Sequence, residues 1–526
     1  MIHPSSLFNA APAANRSSIE AQEARSARST AHAPAVYLIL LLAIAAALRL
    51  FMLGHQSLWL DEIASWEFAS QHLHRVLQSE PTNPPIYYLI LHFWMKLFGT
   101  TETGIRSLNI VPSVFCVWLA YRFSDRLFDR GVAYVSAAYM TFSTFQIYYA
   151  QEARCFALLT VLLLAATMCL WEALNSESAR QGYLYYGAYT LLAALALYTH
   201  FITIFFLAAH GLYVLFRRTK HLWNVTASIA GALLLFSPWL ITMLRVAGHG
   251  GQIRRYLPLK LPQAYFSFLY GYSLIPMDDQ AVRHVVQTLA GNWWILAMAI
   301  LSLSLLLAFW RLAWKRWPEP MLFVFVMGTV PVLMAFLVSF KIMLFSDRYL
   351  IAASPFIYMS VAAAIAEFWC ASQTAPTRQL AVYRGWAACG LFCVLLVLSL
   401  RNYYFNPRFS KEQWRQADAY IDASVHVGEK AIIIFDPDYL VGCYRYYSTR
   451  DLESWRVTPQ IEAKLATSDE LLREHTQGYQ QIFLVRSHDE SDTVVTAMRK
   501  AFSLEHYQKF SRANPIEVYS FRGSTP

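Results

Sequence analysis

Apolar residues recur along this chain in runs of about 20, the length at which an α-helix crosses a hydrocarbon core about 30 Å thick. Because 56% of its residues are hydrophobic and only 15% charged, a single soluble domain is excluded. The pattern predicts a polytopic helical membrane protein. A net charge of +9 could suit nucleic acid, but many Arg and Lys fall in short connections between apolar runs, where positive charge fixes topology. A nucleic-acid partner is therefore set aside. Cys116, Cys169, Cys370, Cys389 and Cys393 lie inside apolar runs as small packing residues, and the cysteines show no metal-ligand spacing.

Residues 1–34 are rich in Ala, Ser and Arg without an apolar core, and read as a disordered cytoplasmic leader. The first run, about 35–53, follows Arg16, Arg25 and Arg28, which predicts an inside N-terminus and puts residues 54–104 on the outer face. Runs at 105–122, 131–149, 155–173, 183–199, 201–216, 224–244, 292–310, 321–340, 347–368 and 385–400 follow, roughly eleven in all. They bring residues 147–154, the turn at Tyr198 to His200, a long loop at 245–291 and everything beyond 401 to the outer side. Segment 83–98 starts at prolines and is amphipathic, which predicts an interfacial helix. From 401 the charge rises and helix-like KEQWRQADAYIDA alternates with strand-like AIIIF (431–435) and QIFLV (481–485), the pattern of a small soluble α/β domain over 401–526.

The outer segments collect the residues that could carry chemistry. Asp61 and Glu62 follow the first run directly, in a segment rich in Trp, His and Tyr; the competing reading is helix capping. Glu152 and Arg154 lie at the outer end of another run, beside Tyr149, and could serve a cavity or lock two helices as an ion pair. His200 stands at the next outer turn. Lys341, Arg348, Arg254 and Arg255 are outer-face cations that could hold a lipid-linked phosphate. Snorkelling competes for Lys341, and an ion pair with Asp347 for Arg348. A sugar arriving on a lipid phosphate has a leaving group that needs no general acid. One carboxylate taking the acceptor's proton is then enough. No cofactor is required, and a divalent metal is compatible with the acids without being demanded by them.

The order of LDE after the first run, NPPIYYLILHFWMKLFG leading to GIRSLNIVPSVFCVWLAYRFSDRLF, then YYAQEAR and DRYLIAASPF resembles the bacterial GT-C glycosyltransferases, in particular the protein O-mannosyltransferase group and the aminoarabinose transferase of lipid A. The resemblance covers roughly residues 35–370. It implies a GT-C fold in a bacterial inner membrane, a periplasmic C-terminal domain, and inverting transfer from a polyprenyl-phosphate sugar to an acceptor it does not specify. Asp61 takes the place of the first-loop catalytic acid and Glu152 that of the second. Asn83 stands where relatives carry a basic residue or His, and NPPIYY replaces HPPLGK, which argues against protein mannosylation. A transporter or flippase of lipid-linked sugars is the rival reading, although its ionisable residues would sit near mid-membrane rather than at one face. An inactive scaffold is the third.

Overall fold

The structure, a computed structural model, describes residues 35–77, 84–246, 257–276, 284–342, 344–374, 379–488, 491–510 and 515–523. The proposed leader, Asn83, Arg254 and Arg255 lie outside them. Among the described residues, seven helices are long and apolar enough to cross a membrane: Glu102–Leu127, Phe156–Asn175, Thr219–Thr242, Trp293–Arg316, Pro318–Val338, Asp347–Cys370 and Val382–Phe405. Ala35–Leu50 and Thr203–Arg217 are shorter apolar helices, and Ala179–Leu197 packs against Phe156–Asn175. Leu234, Ile300 and Leu337 stand exposed on outward faces, as lipid permits and water does not.

Two segments differ from the sequence-based expectation. The run 131–149 is not one straight span but two helices, Arg130–Phe142 and Thr144–Ala150, broken at Ser143. Ser143 caps the second helix by accepting from the Gln146 N–H, while the buried Arg49 takes up the carbonyls of Met140 (3.0 Å) and Thr141 (3.3 Å) that the break leaves open. The stretch 245–291 is likewise no plain loop, because helix Leu257–Tyr270 packs against both Thr144–Ala150 and the helix from Ser354. Within 83–98, the helix Ile86–Phe98 has 13 residues. That is about 20 Å, short of a span. It buries Tyr87, Tyr88, Leu91 and Met95 and leaves Ile90, Phe93, Leu97 and Phe98 exposed.

Beyond the last span the chain builds a five-stranded sheet in the order β2-β1-β3-β5-β4. Strands β1 (Ala431–Asp436) and β3 (Gln481–Arg486) run parallel at its centre and are buried at every position, which is why they read as unbroken apolar runs. Strand β2 (Glu453–Arg456) flanks β1 in parallel, whereas β5 (Ile516–Arg522) is antiparallel to both β3 and β4 (Ser503–Phe510). The sheet does not merely hang from the last span. Ile433, Phe435, Phe483 and Val485 share one apolar core with Trp414 and Val441, and with Leu58, Ile63 and Tyr87 of the first outer segment.

Candidate active site

Helix Leu60–Ser70 begins where the chain leaves the first apolar helix, and it carries Asp61 and Glu62 in its first turn. Neighbouring residues on a helix point about 100° apart, so the two acids meet different surroundings. Glu62 turns inward and is fully buried. Arg106 grips it with a fork, Nε to Oε1 at 2.8 Å and Nη2 to Oε2 at 2.6 Å, and its Oε1 also accepts from the Ala153 N–H at 2.8 Å. These charges hold its carboxyl down at about 2, although burial alone would raise it. Glu62 also accepts from the Trp59 N–H (3.4 Å), so part of the capping reading stands. It does not line the cavity, and a catalytic place for it is corrected to a structural one.

Asp61 faces the other way. Its Oδ2 accepts from Arg348 Nη1 at 2.8 Å, and the two side chains are a quarter exposed. Arg348 therefore does not make the expected ion pair with Asp347, whose Oδ1 instead accepts the Arg348 backbone N–H at 3.0 Å. The guanidinium lies over the rings of Trp59 (5.6 Å) and Tyr349 (5.2 Å), and its Nε has no partner.

Glu152 sits in the short turn between helices Thr144–Ala150 and Phe156–Asn175, a turn held from three sides. Gln151 donates to the carbonyls of Arg49 and Phe51 at 2.8 Å, Asn109 donates to the carbonyls of Glu152 and Arg154, and Glu62 takes the Ala153 N–H. With its backbone fixed in this way, the Glu152 side chain is completely buried, yet neither carboxylate oxygen has a partner. Burial raises its carboxyl to about 7, with Lys411 and Arg348 pulling the other way. Arg154 forms no ion pair with it. Its Nη1 lies 3.4 Å from the Asp61 carbonyl, Ser65 Oγ and Tyr88 OH, beneath the first-loop helix.

A cavity of about 380 Å³ opens beside these groups, lined by Glu152, Arg348, Trp59, Lys260 and Asp347, and by Tyr149 and Tyr272, which are joined through their hydroxyls (2.5 Å). Trp59 Nε1, Arg348 Nε, both Glu152 oxygens and Asp347 Oδ2 are buried here without partners. Donors and acceptors left open around one cavity fit a polar, anionic ligand. Of the other expected residues, Lys341 is exposed and away from the cavity, as snorkelling would have it. His200 lies behind Tyr349, ring centroids 4.8 Å apart, and burial beside Arg154 and Arg348 lowers it to about 3, which keeps it neutral. Neither lines the cavity.

Residues 408–412 close the cavity from the segment that follows the last span, and sequence reasoning missed them. The signal was the cations Arg408 and Lys411 just outside a span, where the topology rule disfavours them. Among the described residues no group of three His, Cys, Asp or Glu side chains could hold a metal ion.

Residues 82–242 match the family model described as dolichyl-phosphate-mannose-protein mannosyltransferase. Among solved structures, ArnT from Cupriavidus metallidurans in the apo state is similar with a TM-score of 0.58 and 12% identity, over 93% of this chain and 98% of that one. The same protein bound to undecaprenyl phosphate gives 0.55 and 12%, over 92% and 98%. The Archaeoglobus fulgidus oligosaccharyltransferase in complex with Zn and sulfate gives 0.53 and 11%, over 93% of this chain and 73% of that one. A search of curated protein sequences finds no match. The helical bundle and the small sheet domain thus have the GT-C fold of these solved structures, and residues 82–242 match the mannosyltransferase family model.

Proposed function

We propose that this chain is a membrane glycosyltransferase that moves a sugar from a polyprenyl-phosphate donor to an acceptor hydroxyl at the periplasmic face, with inversion at the anomeric carbon. The observation that carries the reading is the cavity itself: a buried carboxylate with both oxygens open, beside a guanidinium whose buried Nε is free. Arg348 and Lys260, both lining the cavity, supply cations for the donor phosphate, and the similarity to a protein that binds undecaprenyl phosphate supports that choice of donor. The acceptor oxygen attacks the anomeric carbon, the bond from that carbon to the phosphate oxygen breaks, and its electron pair leaves with the phosphate. The hydroxyl proton passes to a carboxylate.

Glu152 suits that last task, since a carboxyl near 7 is a stronger base than an ordinary one and still ionises near neutrality. Asp61 then orients Arg348. A second reading makes Asp61 the base. It rests on the partial exposure of Asp61, which an acceptor can reach, and on its match to the family's first-loop acid. Phosphate binding to Arg348 would loosen the Asp61 pair and free that carboxylate for the acceptor hydroxyl. Incubating the purified protein in lipid with polyprenyl-phosphate sugars and a panel of envelope lipids, glycans and peptides tests the function. Release of polyprenyl phosphate coupled to a glycosylated acceptor supports it. Unchanged donor across the panel, from protein that binds polyprenyl phosphate, rejects it.

A further inference from the structure

We infer that Lys411, delivered by the segment joining the last span to the sheet domain, is the positioning residue for Glu152, so that the C-terminal unit supplies a working part of the site. The charges pair by elimination. Arg106 and Glu62 neutralise each other through two short bonds, and Arg348 takes Asp61. The Lys411 ammonium is buried, with its side chain 5% exposed, and donates to Glu62 Oε2 (3.2 Å) and to the Gln151 carbonyl (3.1 Å). Glu62 already has a full counter-charge, so Lys411 brings a positive charge that Glu62 does not need. A buried ammonium is unfavourable unless anions or acceptors offset its lost hydration. Of the two acids lining the cavity without an ion pair, Glu152 and Asp347, Glu152 is the residue after the carbonyl that Lys411 holds.

The chain does not let this lysine withdraw. The Lys411 N–H donates to Gln56 Oε1 at 2.8 Å, Glu412 accepts from the Leu60 N–H (3.2 Å) and from Trp414 Nε1 (2.7 Å), and Arg415 bridges to Glu102. Its Nζ lies 5.3 Å from the centre of the Tyr148 ring, which walls it in on a further side. Two of its three N–H bonds are spent on Glu62 and Gln151, and an ammonium carries three.

The charged groups facing Glu152 come from three elements: Asp61 and Glu62 from the first-loop helix, Arg348 from the turn before Ser354, and Lys411 from the tail. The preceding helix contributes Tyr148 and Tyr149, the last span Tyr403, and its own turn Cys155. Among these Lys411 exerts the largest pull on the carboxyl. Removing that cation should therefore raise the pH at which Glu152 ionises.

The importance of this for turnover rests on the proposed transferase reading, but the test does not. In an infrared pH titration of the purified full-length protein, the protonated-carboxyl band absent from Glu152→Gln belongs to Glu152. Lys411→Gln keeps a donor for Gln151 and Glu62 while losing the charge, and should move the midpoint of that band up by about 1 to 3 pH units. Lys411→Arg should leave it near the wild-type value. Lys411→Met, similar in length, asks the same question should the Gln variant not fold. A midpoint unmoved in a folded neutral variant overturns the proposal, and so does a shift that Lys411→Arg shares in full. The outcome is read without any sugar donor, so failure of the transferase reading would leave it standing.

Discussion

Arg348 and Asp61, 287 positions apart in sequence, are joined by a 2.8 Å bond from guanidinium Nη1 to carboxylate Oδ2 at the wall of the cavity. The pair ties the first outer segment to the turn that opens a late span. It also leaves the guanidinium's Nε unspent. An arriving phosphate meets a cation already aimed and half-engaged, a geometry that favours exchange of one anion for another.

Arg348→Lys retains the charge and removes the fork. Polyprenyl-phosphate binding should weaken by about 10- to 100-fold, the worth of one charge-assisted hydrogen bond, while the thermal midpoint stays close to wild type. Equilibrium binding by the purified variants checks this. An affinity equal to wild type would remove Arg348 from the phosphate site.

Asp61→Asn and Glu152→Gln separate the two candidate bases. Whichever carboxylate accepts the acceptor's proton, its amide variant should lose about 10² to 10⁴ in kcat while still binding donor. Glu152 is expected to show the larger loss. A silent Asp61→Asn would return that residue to a purely orienting role, since Asn caps a helix about as well as Asp.

Stability should depend on pH through two acids of opposite sign. The folded carboxyl of Glu62, near 2, lies below its ordinary value of 4.5, so its contribution is present above 4.5 and is lost as pH falls towards 2. Glu152, raised to about 7, binds its proton more tightly in the folded state, so stability declines as pH rises from 4.5 to 7. The decline amounts to about 3 kcal/mol. In thermal unfolding of Glu152→Gln the decline on the alkaline side should shrink, leaving the part that comes from Asp418, whose carboxyl is raised to about 8 by burial and the neighbouring Asp422. An identical decline in the variant would assign it to other groups.

The outward placement of the first segment and the sheet domain is open to labelling. With native cysteines replaced, a membrane-impermeant thiol reagent applied to intact cells whose outer membrane has been permeabilised should modify a cysteine placed at Ser468 and spare one at Ser178, both exposed positions. The reverse pattern would invert the topology.

Much of this was legible in the sequence because lipid imposes length and burial imposes monotony. The spans, and the strands β1 and β3, announce themselves as unbroken apolar runs. Asp61, Glu152 and Arg348 were readable as ionisable groups at the ends of such runs. The break at Ser143 was not, because what stabilises it is Arg49, far away in sequence, satisfying carbonyls that local propensity cannot see. Glu62 was misread for a related reason: adjacent acids look alike in a string, and only the Arg106 fork shows that one of them is consumed inside the protein. Lys411 was missed because its partners, Glu62 and the Gln151 carbonyl, lie 349 and 260 positions away in sequence.

That span of sequence has a consequence for how the protein comes into being. The first outer segment leaves the ribosome early, but Ile63 and Tyr87 share their core with Phe435 and Phe483, and the cavity lacks a wall until residues 408–412 arrive. A chain interrupted before its final span has been inserted and its tail exported would carry both acids and still have no enclosed site. The wall formed by residues 408–412 is thus the last part of the cavity to be made.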